Sequence, residues 1–342
     1  MDRADKAVLR LAIGLGLSVL IAYGLALKMP FVVCVVVVLM LSKGAPPIPF
    51  VKGVVVALVV AGVLAAGVLM VPLLENYRVS GLLVTAVLLY AVFLASVRSG
   101  SPLLLIVLIA LTVIPVAGVA EQQLATMLSK AFGLGLVTGA LVGGVSHAFF
   151  PDPPAPAKIA AAPAGVSPEV ASWQALQATL VVMPVFVLAL TNPALYIAAI
   201  IKTVLLGQQA GTTDARSAGR ELVGSTLMGA AMAALVWMGL LMRPNLWMLM
   251  LWLVAAALWA GVRLFGVKPT SLASSFWVNA LVTMLILLGP AIEDAAVGKD
   301  VYSASAHRVT LFIVVALYAW ATVWVLERWR ASRFGALVFK RT

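Results

Sequence analysis

The sequence predicts an all-α integral membrane protein with about 12 transmembrane segments, arranged as two parallel six-segment repeats. Three observations lead there. The 342 residues are 63% hydrophobic and only 10% charged, with a mean hydropathy of +1.13, whereas soluble domains carry roughly 25% charged residues. Unbroken apolar runs such as GVVVALVVAGVLAAGVLMVPLL at 53–74 lack the alternation of a transmembrane barrel, which leaves helices as the spanning structure. Finally, short proline-led segments recur at matching places in the two halves.

A helix crosses the hydrocarbon core with about 20 apolar residues. Runs of that kind cover 7–27, 52–74, 79–97, 102–120 and 124–149 in the first half. The second half supplies 171–191, 218–242, 245–265, 271–290 and 305–327. The N-terminal run at 7–27 follows a flank in which acidic residues interrupt the basic ones, with no small-residue cleavage site, so it reads as a retained helix rather than a signal peptide. Two further runs, PFVVCVVVVLML at 30–41 and PALYIAAIIKTVLL at 193–206, are too short for a comfortable crossing and stand as segments two and eight. Pro30 matches Pro193 at an offset of 163, and Arg98 in ASVRSGSP aligns with Arg263 in AGVRLFGVKP. The chain therefore divides into a first membrane repeat at 1–150, a Pro/Ala cytoplasmic linker at 151–169 and a second repeat with a short basic tail at 170–342. Six segments per copy is an even number, so the copies run parallel.

Basic residues set the orientation. With the N-terminus inside, 17 of the 23 Lys and Arg fall on the inner side and 6 on the outer side. That places both termini in the cytoplasm with twelve crossings, and it absorbs most of the +11 net charge without any nucleic acid. The single Cys34 excludes an intrachain disulfide. No GxxxxGK[ST] loop is present, so a pump of this build draws on a gradient or a partner.

Paired short segments interrupted by proline and glycine point to a substrate site near the membrane midplane. The polar stretch after segment eight, GQQAGTTDARSAGRE, gathers Gln208, Gln209, Asp214, Arg216, Arg220 and Glu221. Lys202 lies inside the apolar run before it, and Lys43 with Lys52 occupy the corresponding region of the first copy. A cation inside the membrane costs about 2.5 to 3.5 kcal/mol even on insertion scales, which marks Lys202 for function or for snorkelling to the interface. Arg216 and Arg220, four residues apart, either clamp an anion or anchor the inner face beside Asp214 and Glu221. Gln208 and Gln209 either orient a substrate or cap segment eight.

Other features read mainly as structure. Tyr23, Trp173, Tyr196 and Trp277 suit an interfacial belt or packing, and Asn279 suits an interhelical hydrogen bond. Gly135 and Gly139 have the GxxxG spacing of a helix-packing face and of a homodimer contact. The HAFFPD string puts His147 ahead of Asp152 as a general base and its orienter would stand, yet the match is two residues with no soluble domain around it, so the chain is not read as an enzyme. His147 and His307 fall on opposite sides and form no metal pair, and no cofactor is expected.

With the repeat, the opening KAVLRLAIGLGLSVLIAYGLALKMPF and the spacing of Arg216, Arg220, Gly224 and Gly229, the chain resembles the fusaric acid resistance protein and aromatic acid exporter superfamily, in particular its short bacterial inner-membrane members of unassigned function. That resemblance implies proton-driven export of small, aromatic or other, organic carboxylates, with a periplasmic adaptor protein and an outer-membrane channel as partners. It also implies a distant likeness to plant malate channels. The chain departs from the larger exporters in having no large cytoplasmic domain. The expected site comprises Lys202, Arg216, Arg220, Gln208, Gln209, Lys43 and Lys52 for substrate, with Asp214 and Glu221 for proton coupling. A passive organic-anion channel and a membrane component of a multi-protein efflux assembly remain the alternatives.

Overall fold

The computed structural model describes residues 2–44, 50–151, 167–210 and 219–334, excepting the side chains at 50–59, 61, 102, 194–195, 210 and 331–334. Among the described residues the chain is entirely helical, without strands. The first half holds α1 (Arg3–Gly24), α2 (Pro30–Leu41), α3 (Phe50–Asn76), α4 (Arg78–Ser99), α5 (Pro102–Ala120) and α6 (Gln122–Phe149). The second holds α7 (Pro168–Thr191), α8 (Pro193–Ala210), a π-helical turn (Gly219–Val223) that opens into α9 (Gly224–Met242), α10 (Leu246–Leu264), α11 (Ser274–Ala296) and α12 (Val301–Phe334). Nine helices among the described residues are long and apolar enough to cross a membrane. The protein is a multi-pass α-helical membrane protein.

Local chemistry sets the helix ends. Proline opens α2, α5, α7 and α8, where its missing N–H costs nothing and its fixed φ suits the first turn. Asn245 caps α10 by accepting from the Met248 amide at 2.7 Å. Gly100 ends α4 at φ +63°, the left-handed conformation that a side chain resists.

The two short helices are the innermost elements. α2 is apolar on every side because it has protein on every side: 11 of its 12 residues are buried, and α6, α1, α11 and α5 surround it. At 1.5 Å per residue it is about 18 Å long, well short of a core of about 30 Å. α8 differs from expectation. It runs on through Gly207, Gln208 and Gln209 to Ala210 instead of stopping at 206, because the bare Cα of Gly207 allows close packing against the Ala178 carbonyl and Val182 of α7.

Helix contacts recur in corresponding pairs. α1 packs on α10 as α7 packs on α4, α3 on α5 as α9 on α11, and α2 on α6 as α8 on α12. The halves meet most extensively through α1 against α10 and α4 against α7, and also through α2 against α11 and α5 against α8.

Glycines bring several of these helices close. A methyl group on Gly135 would stand 2.9 Å from Val36 Cβ, and one on Gly139 would overlap Met40. The GxxxG face of α6 is thus spent on α2 of the same chain, which removes the sequence argument for a homodimer through that motif. His147, expected as a base in the enzyme reading, instead ties α6 to α1. Its Nδ1 donates to the Gly143 carbonyl at 2.9 Å, which leaves Nε2 to accept from the Arg10 guanidinium. Asp152 lies outside the described residues.

Candidate functional site

A cavity of about 550 Å³ sits where the C-terminal ends of α2, α8 and α10 meet the starts of α5 and α11. Both halves contribute. The first supplies Leu39, Ser42, Lys43 and Leu105, and the second supplies Leu205, Gln208, Gln209, Leu264, Phe265, Ser274, Ser275, Val278 and Asn279. The wall is mixed in character, with leucines, valine and phenylalanine beside hydroxyl, carboxamide and ammonium groups.

Behind this wall lies Lys202, with no exposed surface. Its Nζ donates to Asn279 Oδ1 at 2.9 Å and to Thr283 Oγ1 at 2.7 Å. No carboxylate is among its partners in the described residues. Asn279 then passes the contact onward, its Nδ2 donating to Gln209 Oε1 at 2.7 Å and to Ser225 Oγ at 2.9 Å. Thr283 is held in turn by donating to the Asn279 carbonyl at 2.6 Å. Three helices, α8, α9 and α11, therefore share one buried polar network.

Close packing fixes the geometry. A methyl group on Gly229 would stand 2.5 Å from Thr283 Cβ and 2.6 Å from the Ala280 carbonyl oxygen, so only glycine lets α9 lie against α11 at this level. Asn279 and Thr283 are four apart and share a face of α11, and that face meets Lys202.

Lys43 lines the cavity from the first half, and its Nζ donates to the Gly100 carbonyl. Partial burial pushes its ammonium below the usual lysine range. Helix ends of both signs reach the cavity. The start of α11 has no side-chain cap, so its amides favour an anion, while the carbonyl ends of α2 and α8 oppose it. Among the described side chains the basic groups here are Lys43 on the wall and Lys202 behind it, and no carboxylate lines the cavity.

Of the residues expected from sequence, Lys43, Gln208 and Gln209 come together on the wall, with Lys202 one residue behind. Gln208 also donates to Ser96 Oγ at 3.2 Å, which joins α8 to α4. Arg220 does not reach the cavity. It sits exposed in the π-helical turn, 3.5 Å from the Ser271 carbonyl. Glu221 is half-buried, and its backbone carbonyl accepts from Gln209 at 3.4 Å. Asp214 and Arg216, and the side chain of Lys52, lie outside the described residues.

Sequence reasoning gave Asn279 an interhelical hydrogen bond, which it makes, and passed over Thr283, Ser225, Ser274 and Ser275. One signal was present. A lysine inside an apolar helix requires polar partners, and the only Asn-x3-Thr spacing within an apolar span is the one at 279 and 283.

Comparison with protein-family models, curated proteins and solved structures returns no match.

Proposed function

We propose that the protein is a secondary transporter that exports small amphipathic organic anions, aromatic carboxylates in the first instance, across the bacterial inner membrane. One observation carries this reading: a fully buried lysine amine, Lys202, held only by neutral oxygens among its described partners and set behind a cavity of about 550 Å³. Burial without a counter-charge disfavours the charged form of such a group, and an arriving anion supplies the partner that the protonated amine needs. The cavity lies in the size range of small-molecule sites, and its mixed wall suits a guest with an apolar body and a charged head. Such a guest is also what the resemblance to aromatic acid exporters implies.

The remaining expectations join this proposal. The matching helix pairs support a chain of two parallel six-segment repeats with both termini cytoplasmic, and the cavity then opens inward. An inside-negative potential already pushes an anion outward by about 2.3 kcal/mol per charge per 100 mV, so the driving force has a voltage part and a pH part. Glu221 and Asp214 are the carboxylates proposed to carry the pH part. A periplasmic adaptor protein and an outer-membrane channel are the proposed partners.

The test is flux in liposomes that hold the purified protein, with radiolabelled benzoate and cinnamate as probes and with the pH gradient and voltage set independently. Saturable flux that moves uphill with either gradient supports the transporter. Steep, non-saturating current replaces it with an anion channel, and no flux under any condition leaves the chain as a structural component of an efflux assembly.

A further inference from the structure

One side chain belongs both to the cavity wall and to the partners of the amine behind it. Asn279 lines the cavity, whereas Lys202 contributes nothing to its wall and has no exposed surface. Every hydrogen-bonding direction of the Asn279 carboxamide that the network needs is occupied: Oδ1 receives Lys202, and the two Nδ2 hydrogens go to Gln209 Oε1 and Ser225 Oγ. These partners also fix which way the carboxamide points. Turning it over would set an N–H donor against the ammonium, which has no acceptor, and an oxygen against the Gln209 oxygen.

We infer that Asn279 is the specificity-determining plug of this site, closing Lys202 off from the cavity until an anion's own oxygens replace Oδ1 on the ammonium. The inference rests on the transporter reading for its purpose, though the closure itself is a matter of access. An anion oxygen is a stronger acceptor for an ammonium than a carboxamide oxygen, so a carboxylate can exchange places with Oδ1. The carboxamide is planar and moves as a unit, so its Nδ2 contacts to Gln209 and Ser225 give way together with Oδ1 in that exchange. Gln209, which also lines the cavity, couples the plug to the wall that the anion first touches. A guest too large to approach Asn279, or lacking an acceptor oxygen, leaves the plug shut. The plug thereby selects for an accessible oxyanion, while the apolar wall selects for the body attached to it.

The experiment measures access and flux separately on the full chain. Detergent-purified protein is treated with the sulfonated N-hydroxysuccinimide ester of acetic acid, a water-soluble anionic reagent that acetylates amines, and labelling at Lys202 and Lys43 is followed by mass spectrometry. Lys43 serves as reference because it already lines the cavity. Asn279→Ala and the more conservative Asn279→Ser should raise Lys202 labelling relative to Lys43 by about tenfold, the factor that one lost hydrogen bond to a charged group corresponds to. The buried Cys34, probed with a maleimide, should stay as unreactive as in the wild type. An unchanged Lys202 to Lys43 ratio overturns the inference, and so does a parallel rise at Cys34, which would mean general loosening. Benzoate flux is read on the same preparations. Absent wild-type flux with Asn279-dependent labelling removes the transporter reading and leaves the plug, whereas wild-type flux with Asn279-independent labelling removes the plug alone.

Discussion

The ammonium of Lys202 on α8 stands 2.7 Å from the hydroxyl of Thr283 on α11, inside a membrane protein and with no carboxylate among its described partners. That distance depends on a third helix. Gly229 of α9 lies so near Thr283 Cβ that an added methyl would be 2.5 Å away. Replacing Gly229 by Ala should therefore push α9 from α11 and draw Thr283 off Lys202. Overpacking of this kind costs about 1 to 3 kcal/mol, and thermal unfolding in detergent should show the loss together with reduced anion flux. An unaffected melting temperature would mean that the helices separate freely here.

Gly139 makes a different contact. Its α6 face packs on Met40 of α2, so Gly139→Leu should lower the melting temperature while leaving the oligomeric state, read by light scattering after size exclusion, unchanged. Dissociation of an oligomer without loss of stability would return the GxxxG face to an intermolecular role.

Arg220 is exposed and outside the cavity. Exposed charges interact weakly, by about 1 kcal/mol or less, so Arg220→Ala should change benzoate flux by less than about fivefold and the change should shrink as salt is raised. A collapse of flux equal to that of the Lys202 variant would place the arginine at the substrate.

Asp300 starts α12. Its carboxylate accepts from the Tyr302 amide at 3.0 Å and the Ser303 amide at 3.4 Å, and the Ser303 side chain first, then these two amides, hold it below the usual aspartate range. A folded value below the unfolded one means that the contribution is present above the unfolded value and fades as pH falls through the folded one. Asp300→Ala should thus be slightly less stable than wild type near neutral pH and equal to it in acid, as followed by melting temperature against pH. A difference that grows in acid would contradict the cap.

The contrast among these residues shows where sequence is informative. The apolar runs placed the helices within a few residues because nothing but a helix satisfies the backbone of such a run in lipid. Lys202 stood out for the same reason, being costly anywhere in that setting. The end of α8 did not, since Gly207, Gln208 and Gln209 look like a break, and only the close face of α7 shows why the helix continues. Arg216 and Arg220 drew attention by their spacing, yet a helix start offers a cavity and a headgroup layer alike, and only the fold shows Arg220 exposed. Asn279 was legible as an interhelical hydrogen bond, but its partner, 77 residues away, was not, because long-range pairing depends on which helices become neighbours. The GxxxG of α6 carried the same ambiguity, as its spacing defines a packing face and says nothing of whose helix fills it.

Lys202 provides the charge that an organic anion seeks in the proposed transporter. The most direct test compares wild type with Lys202→Met in liposomes, with radiolabelled benzoate flux and melting temperature measured on the same preparations. Methionine keeps much of the length and removes the amine, and it leaves the buried Asn279 Oδ1 without its donor, a cost of about 1 to 3 kcal/mol. Saturable flux is expected in the wild type and a loss of about tenfold or more in the variant, with a melting temperature lowered only modestly, so that the lost flux is not lost fold. Undiminished flux in Lys202→Met would contradict this role for Lys202.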